Sequence, residues 1–359
     1  MKQIMIIGGG IVGATIAYEL SQTPEFQITL IDKNTPATAS TGAALGLLLG
    51  VISHKKQGRA WELRKISLRR YPQLIAEITE QTGETIPYRQ GLIDLCFSTE
   101  EMAKWEELAS LRAEQGWKLE LWNQVQLQEA CPPLDTSEMI GAVYSPQDFQ
   151  VNPKALTETL IKAAQRNGVS LSWETEATAV SVLEKENSQY RHTVHTNQGD
   201  WEVDYLIIAA GLGSFPLTQH LKQPLPLTPV LGQAMRVRLN DSSSQQLQSV
   251  VTGNDVHIIP LGNREYWVGA TVEFPEQPLV NPLERVWEQA CAYYPALANA
   301  EILETWSGER PRPAEQAAPV IELLQGYDNV ILATGHYRNG ILLAPATAAK
   351  VKALLSDLS

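Results

Sequence analysis

Cysteine is scarce in this chain: Cys96, Cys131 and Cys291 are its three thiols in 359 residues, and no two form a Cys-x-x-Cys pair. That excludes a disulfide framework and a zinc knuckle, and it fits a reducing compartment, so a cytoplasmic location is expected. Long hydrophobic runs are missing as well. The longest, Ala43 to Ile52, is about half of the roughly 20 residues that a membrane-spanning helix needs, and glycines interrupt it. The opening Ile4-Met5-Ile6-Ile7 stops at Gly8-Gly9-Gly10, too soon for a signal-peptide core. Positive charge is in deficit, with 28 Lys and Arg against 40 Asp and Glu and a formal net charge of −12. Nucleic acid, whose phosphates need a basic face, is therefore not an expected partner. Of six histidines, the close pair His192 and His195 falls in a strand-like stretch. There a spacing of three points the rings to opposite faces, so no metal site is expected.

What is present is an ordinary globular balance, 44% apolar and 19% charged, in a length that suits one large core or two domains. The first 32 residues carry the clearest pattern. Gln3-Ile4-Met5-Ile6-Ile7 reads as a buried parallel strand, and Gly8, Gly10 and Gly13 follow at G-x-G-x-x-G spacing. Ala14 to Leu20 reads as a helix, and Gln27 to Ile31 as a second strand ending at Asp32. Gly8 permits the tight turn, Gly10 lets a pyrophosphate approach the backbone, and Gly13 lets the helix pack on the sheet. The helix N-terminus offers free N–H groups to phosphate, and Ile11 and Val12 just before the helix are expected to bind the cofactor with the glycines. Asp32 stands 19 residues after Gly13, where a carboxylate accepts ribose hydroxyls and repels a 2′-phosphate. Lys33 follows it. The motif by itself does not separate FAD from NAD.

A chain built for NAD would continue with further strand–helix units. Here Thr35 to Ala44 is instead a loop of small residues and hydroxyls, suited to lie against a long cofactor. Glu62 to Gln81 has helical spacing, Leu92 to Phe97 is strand-like, and Thr99 to Gln115 reads as a helix with a capping-box start at Thr99. Asn152-Pro153 opens a helix reaching Arg166, and strands are expected around 169–173 and 180–183. Asp204 to Gly211 reads as a buried strand returning to the first sheet, its Ala210-Gly211 end leaving room for a close neighbour. Alternating strands fill 224–309, notably 233–237, 257–259 and 266–270; strand 330–333 and a closing helix from Ile341 to Leu355 complete the chain.

Four segments in this order carry a family resemblance: the Gly8–Gly13 cradle, the Asp204–Gly211 strand, Trp306-Ser307-Gly308-Glu309-Arg310-Pro311, and Gly335-His336-Tyr337-Arg338-Asn339-Gly340-Ile341-Leu342-Leu343-Ala344-Pro345. Together they resemble the D-amino-acid oxidase family of FAD oxidoreductases. The closing run is most similar to the bacterial glycine oxidases of thiamine biosynthesis. The resemblance implies α/β plus α+β architecture, a Rossmann-like FAD-binding domain interleaved with a mainly antiparallel-sheet substrate domain. Residues 1–85, 145–222 and 306–359 would form the first, and 86–144 and 223–305 the second.

Carried over residue by residue, the resemblance makes Arg310 the grip on a substrate carboxylate and Arg338 a second arginine beside substrate and flavin. His336, Tyr337, Arg338, Asn339, Gly340, Ile341 and Leu342 would wrap the flavin ring. Ser40, Thr41, Ala44, Leu45, Gly46 and Leu47 would run beneath pyrophosphate and ring, Val180 would meet the adenine side, and Ala210-Gly211 would pass close to the cofactor. The chain also departs from the family. Glu309 precedes the Arg-Pro step, Glu315-Gln316 replace an Asp-Gly pair, and Pro319 comes one residue late. His257 stands where glycine oxidases place a substrate-facing tyrosine, and Leu47 or a neighbour replaces a methionine near the flavin.

The chemistry that follows is FAD-dependent oxidative deamination of a small amino acid or secondary amine of glycine or sarcosine type. Non-covalent FAD is expected, because no cysteine falls within 310–343. Molecular oxygen would reoxidise the flavin and give peroxide. A guanidinium offers carboxylate a planar two-donor fork, and hydride loss from a neutral amine needs no protein base, so no catalytic acid or base is assigned. A dehydrogenase with another acceptor and a flavin-binding protein without amine turnover remain open at this point, as does homo-oligomer formation.

Overall fold

The computed structural model describes residues 1–183, 191–219, 221–241 and 245–358. Its first sheet has six strands in the order Val320–Leu323, Val330–Thr334, Tyr205–Ile208, Lys2–Ile7, Phe26–Ile31, Ser170–Ser172. All neighbours are parallel except the edge strand Val320–Leu323. Lys2–Ile7 is central because both of its faces are apolar. Ile4 and Ile6 pack into one cluster, with residues of the helices Ile11–Ser21, Arg59–Thr82, Pro153–Arg166 and Gly340–Asp357. Met5 and Ile7 pack into another, with Val180 and Val194 of a small sheet formed by Ala177–Leu183, Arg191–Thr196 and Gly199–Val203. The strand expected at 204–211 does return to this sheet, pairing with Lys2–Ile7 on one side and Val330–Thr334 on the other.

The larger sheet runs Glu301–Pro313, Leu227–Arg238, Glu265–Gly269, Val256–Gly262, Val250–Gly253, Tyr88–Cys96, Gly141–Val151, Leu47–Leu48, with Glu120–Asn123 also on Gly141–Val151. Its pairs are antiparallel except Val250–Gly253 with Tyr88–Cys96. Period-two alternation splits its faces. Ile93, Leu95, Val251, Ile258 and Val268 pack with Val286 and Ala290 of the helix Pro282–Tyr293. Leu92, Cys96, Val143, Ala234, Val250 and Ile259 pack with Leu45 and Ile52, toward the nucleotide sheet's loops.

Two of the expected domain boundaries, at 145 and 306, fall inside the strands Gly141–Val151 and Glu301–Pro313, and Leu47–Leu48 joins the larger sheet's edge. These strands pair with distant partners on both sides of those boundaries, which local sequence does not reveal. The cap of the helix Thr99–Glu114 is Ser98, one residue earlier than expected. Its side chain accepts from Glu101 N, and Glu101 Oε2 accepts from Phe97 N.

Candidate functional site

The glycine turn is tighter than its spacing alone requires. Gly8 has φ 117°, and a Cβ there would lie 2.4 Å from Ala209 O of the neighbouring strand's exit. At Gly13 a Cβ would lie 1.9 Å from Gly8 O, so helix and turn touch backbone to backbone. A Cβ on Gly10 would be 3.0 Å from Thr41 Oγ1, which accepts Ile11 N at 3.1 Å. Thr41 thus lies against the helix start, with Val12 and Gly13 next in line. Asp32 is held by two amides: Oδ2 accepts Gly9 N at 2.6 Å and Oδ1 accepts Asn34 N at 2.8 Å. Beside it opens a cleft of about 550 Å³ lined by Lys33, Asn34, Thr35, Thr38 and Glu174, with Lys33 ion-paired to Glu176. This is what a dinucleotide cradle requires: bare backbone at the turn, a helix N-terminus and a fixed acid. Val180 packs its side chain inward, so its backbone is what a ligand could meet. Gly211, following Ala210, has φ 57° and opens a 3₁₀ turn.

The loop after Asp32 is clamped to the larger sheet. Ser40 Oγ donates to Glu309 O at 2.6 Å, and Trp306 Nε1 donates to Ala43 O at 3.0 Å. Gly46 has φ 74°, and its carbonyl accepts Val151 N at 3.0 Å. Ala44, Leu45 and Leu47 pack beside these contacts. The strand that carries Arg310 and the loop expected under the cofactor are therefore one unit.

The C-terminal segment turns at Gly335, makes a 3₁₀ turn over Tyr337–Asn339 and enters the helix Gly340–Asp357, which has no side-chain cap. The N–H groups of Gly340, Ile341 and Leu342 thus open the helix and present its partial positive charge. His336 is buried, bonds Thr347 Oγ1 through Nε2 at 2.8 Å, and is pushed by burial to a pKa of about 3. Three contacts fix this segment to the helix Arg59–Thr82. Tyr71 OH donates to Ile341 O, Ser67 Oγ accepts Ala346 N at 3.1 Å, and Arg64 Nη2 donates to Asn339 Oδ1 at 3.2 Å.

A row of residues crosses the larger sheet on its inner face in register: Asp94, Thr252, His257, Gly269, Ala234 and Trp306. Thr252 Oγ1 and His257 Nδ1 are 2.7 Å apart. Burial and the charge of Arg338 hold His257 down at a pKa of about 4, so its ring is neutral at pH 7. Arg310 lies flat over Gly232, where a Cβ would come within 2.3 Å of its guanidinium. It donates to Leu231 O and Thr271 O, each at 3.0 Å. Of five guanidinium donors these take two, leaving the rest for a ligand. Burial and nearby Arg338 lower its pKa without discharging it.

Arg338 is not free: Nη2 donates to Asp255 Oδ1 at 2.6 Å. The field of Arg338 and Asp255 acts on both Arg310 and His257, so all four groups share one locality. Asp94, further along the row, is pushed up to about 7 by burial and by Glu101 and Asp255. Sequence reasoning brought Arg310, Arg338 and His257 together but missed Asp255, Asp94, Thr252 and Arg64. The Asn254-Asp255 pair between two strands is a hairpin-turn signature that places Asp255 two residues from His257. Nothing local marks Asp94 or Arg64. The His192 and His195 rings do point apart: His192 reaches buried Asn329 at 2.6 Å and His195 reaches exposed Asp200 at 2.9 Å. Among the described residues there is no group of three or more metal-ligating side chains, and no helix is long and apolar enough to cross a membrane.

Comparison with known proteins agrees with this geometry. The family described as FAD dependent oxidoreductase (DAO) matches residues 3–354. The bifunctional protein ThiO/ThiG of Trichormus variabilis is 30% identical over 359 residues, covering 98% of this chain and 52% of that protein. This chain therefore spans about half the length of that relative. The glycine oxidase of Bacillus subtilis is 28% identical over 99% of this chain and 92% of its own. The crystal structure of glycine oxidase from Geobacillus kaustophilus superposes with TM-score 0.86 at 26% identity, covering 99% of this chain and 95% of that one. With the glycine turn, the fixed acid and the uncapped closing helix already in place, the chain belongs to the family of FAD-dependent oxidoreductases.

Proposed function

We propose that this protein binds FAD non-covalently and oxidises a small amino acid or secondary amine, with glycine and sarcosine as first substrates. The observation that carries this reading is Arg310: a guanidinium half-buried between strands, held by two carbonyls, with its remaining donors unspent. Its strand is tied through Ser40 and Trp306 to the loop that runs toward the cradle, which supports a carboxylate held at a fixed distance from the cofactor. Fixing the carboxylate orients the Cα–H, and orientation is most of what such a donor needs. FAD, when bound, supplies the hydride acceptor and passes the electrons to oxygen, giving peroxide. With FAD bound, the open helix start at Gly340 would favour negative charge on a group held there, by roughly 0.3–1 kcal/mol. His257 is neutral at pH 7 and presents a polar edge rather than a charge to the substrate. Deprotonation of the substrate ammonium to the amine precedes oxidation and is left to solvent, since no assigned residue is placed to act as base.

Purified holoprotein should lose its visible flavin absorbance when mixed anaerobically with glycine or sarcosine, and should form one peroxide per turnover in air. Failure to bleach with glycine, sarcosine, D- and L-alanine and proline would refute amine oxidation. Bleaching without peroxide in air, but with dye reduction, would point to a dehydrogenase.

A further inference from the structure

Two guanidinium groups meet at the substrate face, and they are treated differently. Arg310 donates to two neutral backbone carbonyls, whereas Arg338 is ion-paired through Nη2 to the carboxylate of Asp255 at 2.6 Å, near the surface. Asp255 stands at the hairpin tip between Val250–Gly253 and Val256–Gly262, with Asn254 and Asp255 at φ 48° and 63°. Its carboxylate acts on Arg310 as well as Arg338. Glu273, the other acid acting on Arg310, is already engaged, its Oε1 accepting from Gln233 Nε2 and Thr271 Oγ1. With His257 uncharged, the charged groups in this locality are two arginines against Asp255 and Glu273, whose hydrogen bonds leave its charge in place, so the guanidinium charge is already largely balanced. The unspent Arg310 donors suit one substrate carboxylate, while the carboxylate beside Arg338 is supplied by the protein itself.

We infer that Asp255 is a specificity-determining residue: by placing a carboxylate against Arg338 it favours substrates with one carboxylate over dicarboxylates. A second ligand carboxylate at Arg338 would lie close to the Asp255 carboxylate already paired there, which like-charge repulsion disfavours. Without the Asp255 charge, Arg338 would lose its carboxylate partner and a second ligand carboxylate would find an unpaired guanidinium near Arg310. This inference rests on the reading of Arg310 as a carboxylate clamp.

The test compares acetate with malonate, neither of which can be oxidised as an amine. Binding to wild-type holoprotein and to Asp255→Asn and Asp255→Gly is measured by titration calorimetry at pH 7.5, so turnover is not needed. Asn and Gly both accept a left-handed backbone, which keeps the hairpin in either variant. Wild type should bind acetate more tightly than malonate, and each variant should raise the malonate-to-acetate affinity ratio by about tenfold or more, as freeing a charge partner does at close range. An unchanged ratio in both variants, with acetate still bound by wild type, would overturn the role of Asp255 and leave the clamp standing. Absence of acetate binding by yellow wild-type protein would overturn the clamp and this inference together.

Discussion

The nucleotide cradle and the substrate face handle their acids in opposite ways. Asp32 ends a strand with both oxygens accepting backbone amides, at 2.6 and 2.8 Å. Asp94 sits in mid-strand on the inner face of the larger sheet, and burial with Glu101 and Asp255 pushes its carboxyl up to about 7. Arginines divide similarly. Arg64 supports the closing segment through Asn339, while Arg310 keeps donors in reserve. In the cradle the acid is held by backbone amides and the glycines touch backbone, so its geometry is fixed by the fold. The larger sheet's face gathers charges of both signs around Arg310 and Arg338, the arrangement on which the proposed selection by charge rests.

The largest expected effect breaks the cradle. Gly13→Val places a Cβ 1.9 Å from Gly8 O, a backbone contact that no rotamer relieves. Such overpacking costs about 1–3 kcal/mol, and here it also displaces the helix start. The variant should purify without FAD, fail to take it up in titration, and melt several degrees lower. A yellow Gly13→Val protein of normal stability would show that the turn is not the cofactor's seat. Next in size is Arg310→Met, which should keep FAD and lose about 10²–10³-fold in kcat/KM, the scale for removing a buried charged partner. Together the two variants separate cofactor retention from substrate capture. Loss of flavin in both would mean that the two regions are not independent.

How much of this was legible before the fold depended on distance along the chain. The cradle was readable because its parts lie within Gly8 to Asp32 and each acts on its near neighbours. Even there, the contact that makes glycine obligatory at position 8 comes from Ala209, which the sequence hinted at only through its small-residue strand end. The closing helix was readable from its apolar run and glycine start. The substrate face was not. Asp94, Thr252 and His257 form one line because three strands pair in a register set by distant partners. Strand ends were blurred for the same reason, as with Gly141–Val151 and Glu301–Pro313, which run on past the expected domain limits.

Acid tests the same contrast at smaller scale, because each region hides one neutral imidazole. His257 is held near 4 and His336 near 3, both below the ordinary 6.5. Between about pH 6.5 and 4 the unfolded chain binds protons that these two sites refuse, so stability falls as pH drops through that window. The shift at His257 alone corresponds to about 3 kcal/mol as an order of magnitude. Melting temperature should decline steadily from pH 7 to 4.5. His336→Gln should flatten the decline, losing only about 1 kcal/mol at pH 7.5 with the Thr347 bond. A profile as steep as wild type would remove His336 as a source of acid sensitivity.

The smallest effect runs the other way. A carboxyl raised to about 7 in the folded protein, against 3.8 unfolded, takes up protons on folding in the range between those values. Stability from that uptake is present below pH 3.8 and is lost as pH rises toward 7, the reverse of the histidine effect. Asp94→Asn keeps the shape and removes the charge, so it should stabilise the protein at pH 8 and change little at pH 4.5. Water and neighbouring groups relax around a newly charged carboxylate, so the gain is about 1–2 kcal/mol as an order of magnitude. Chemical denaturation at the two pH values reads it directly. Equal stability of variant and wild type at pH 8 would mean that Asp94 is as well satisfied as Asp32, and the division between a settled cradle and a charged, selective face would not extend to Asp94.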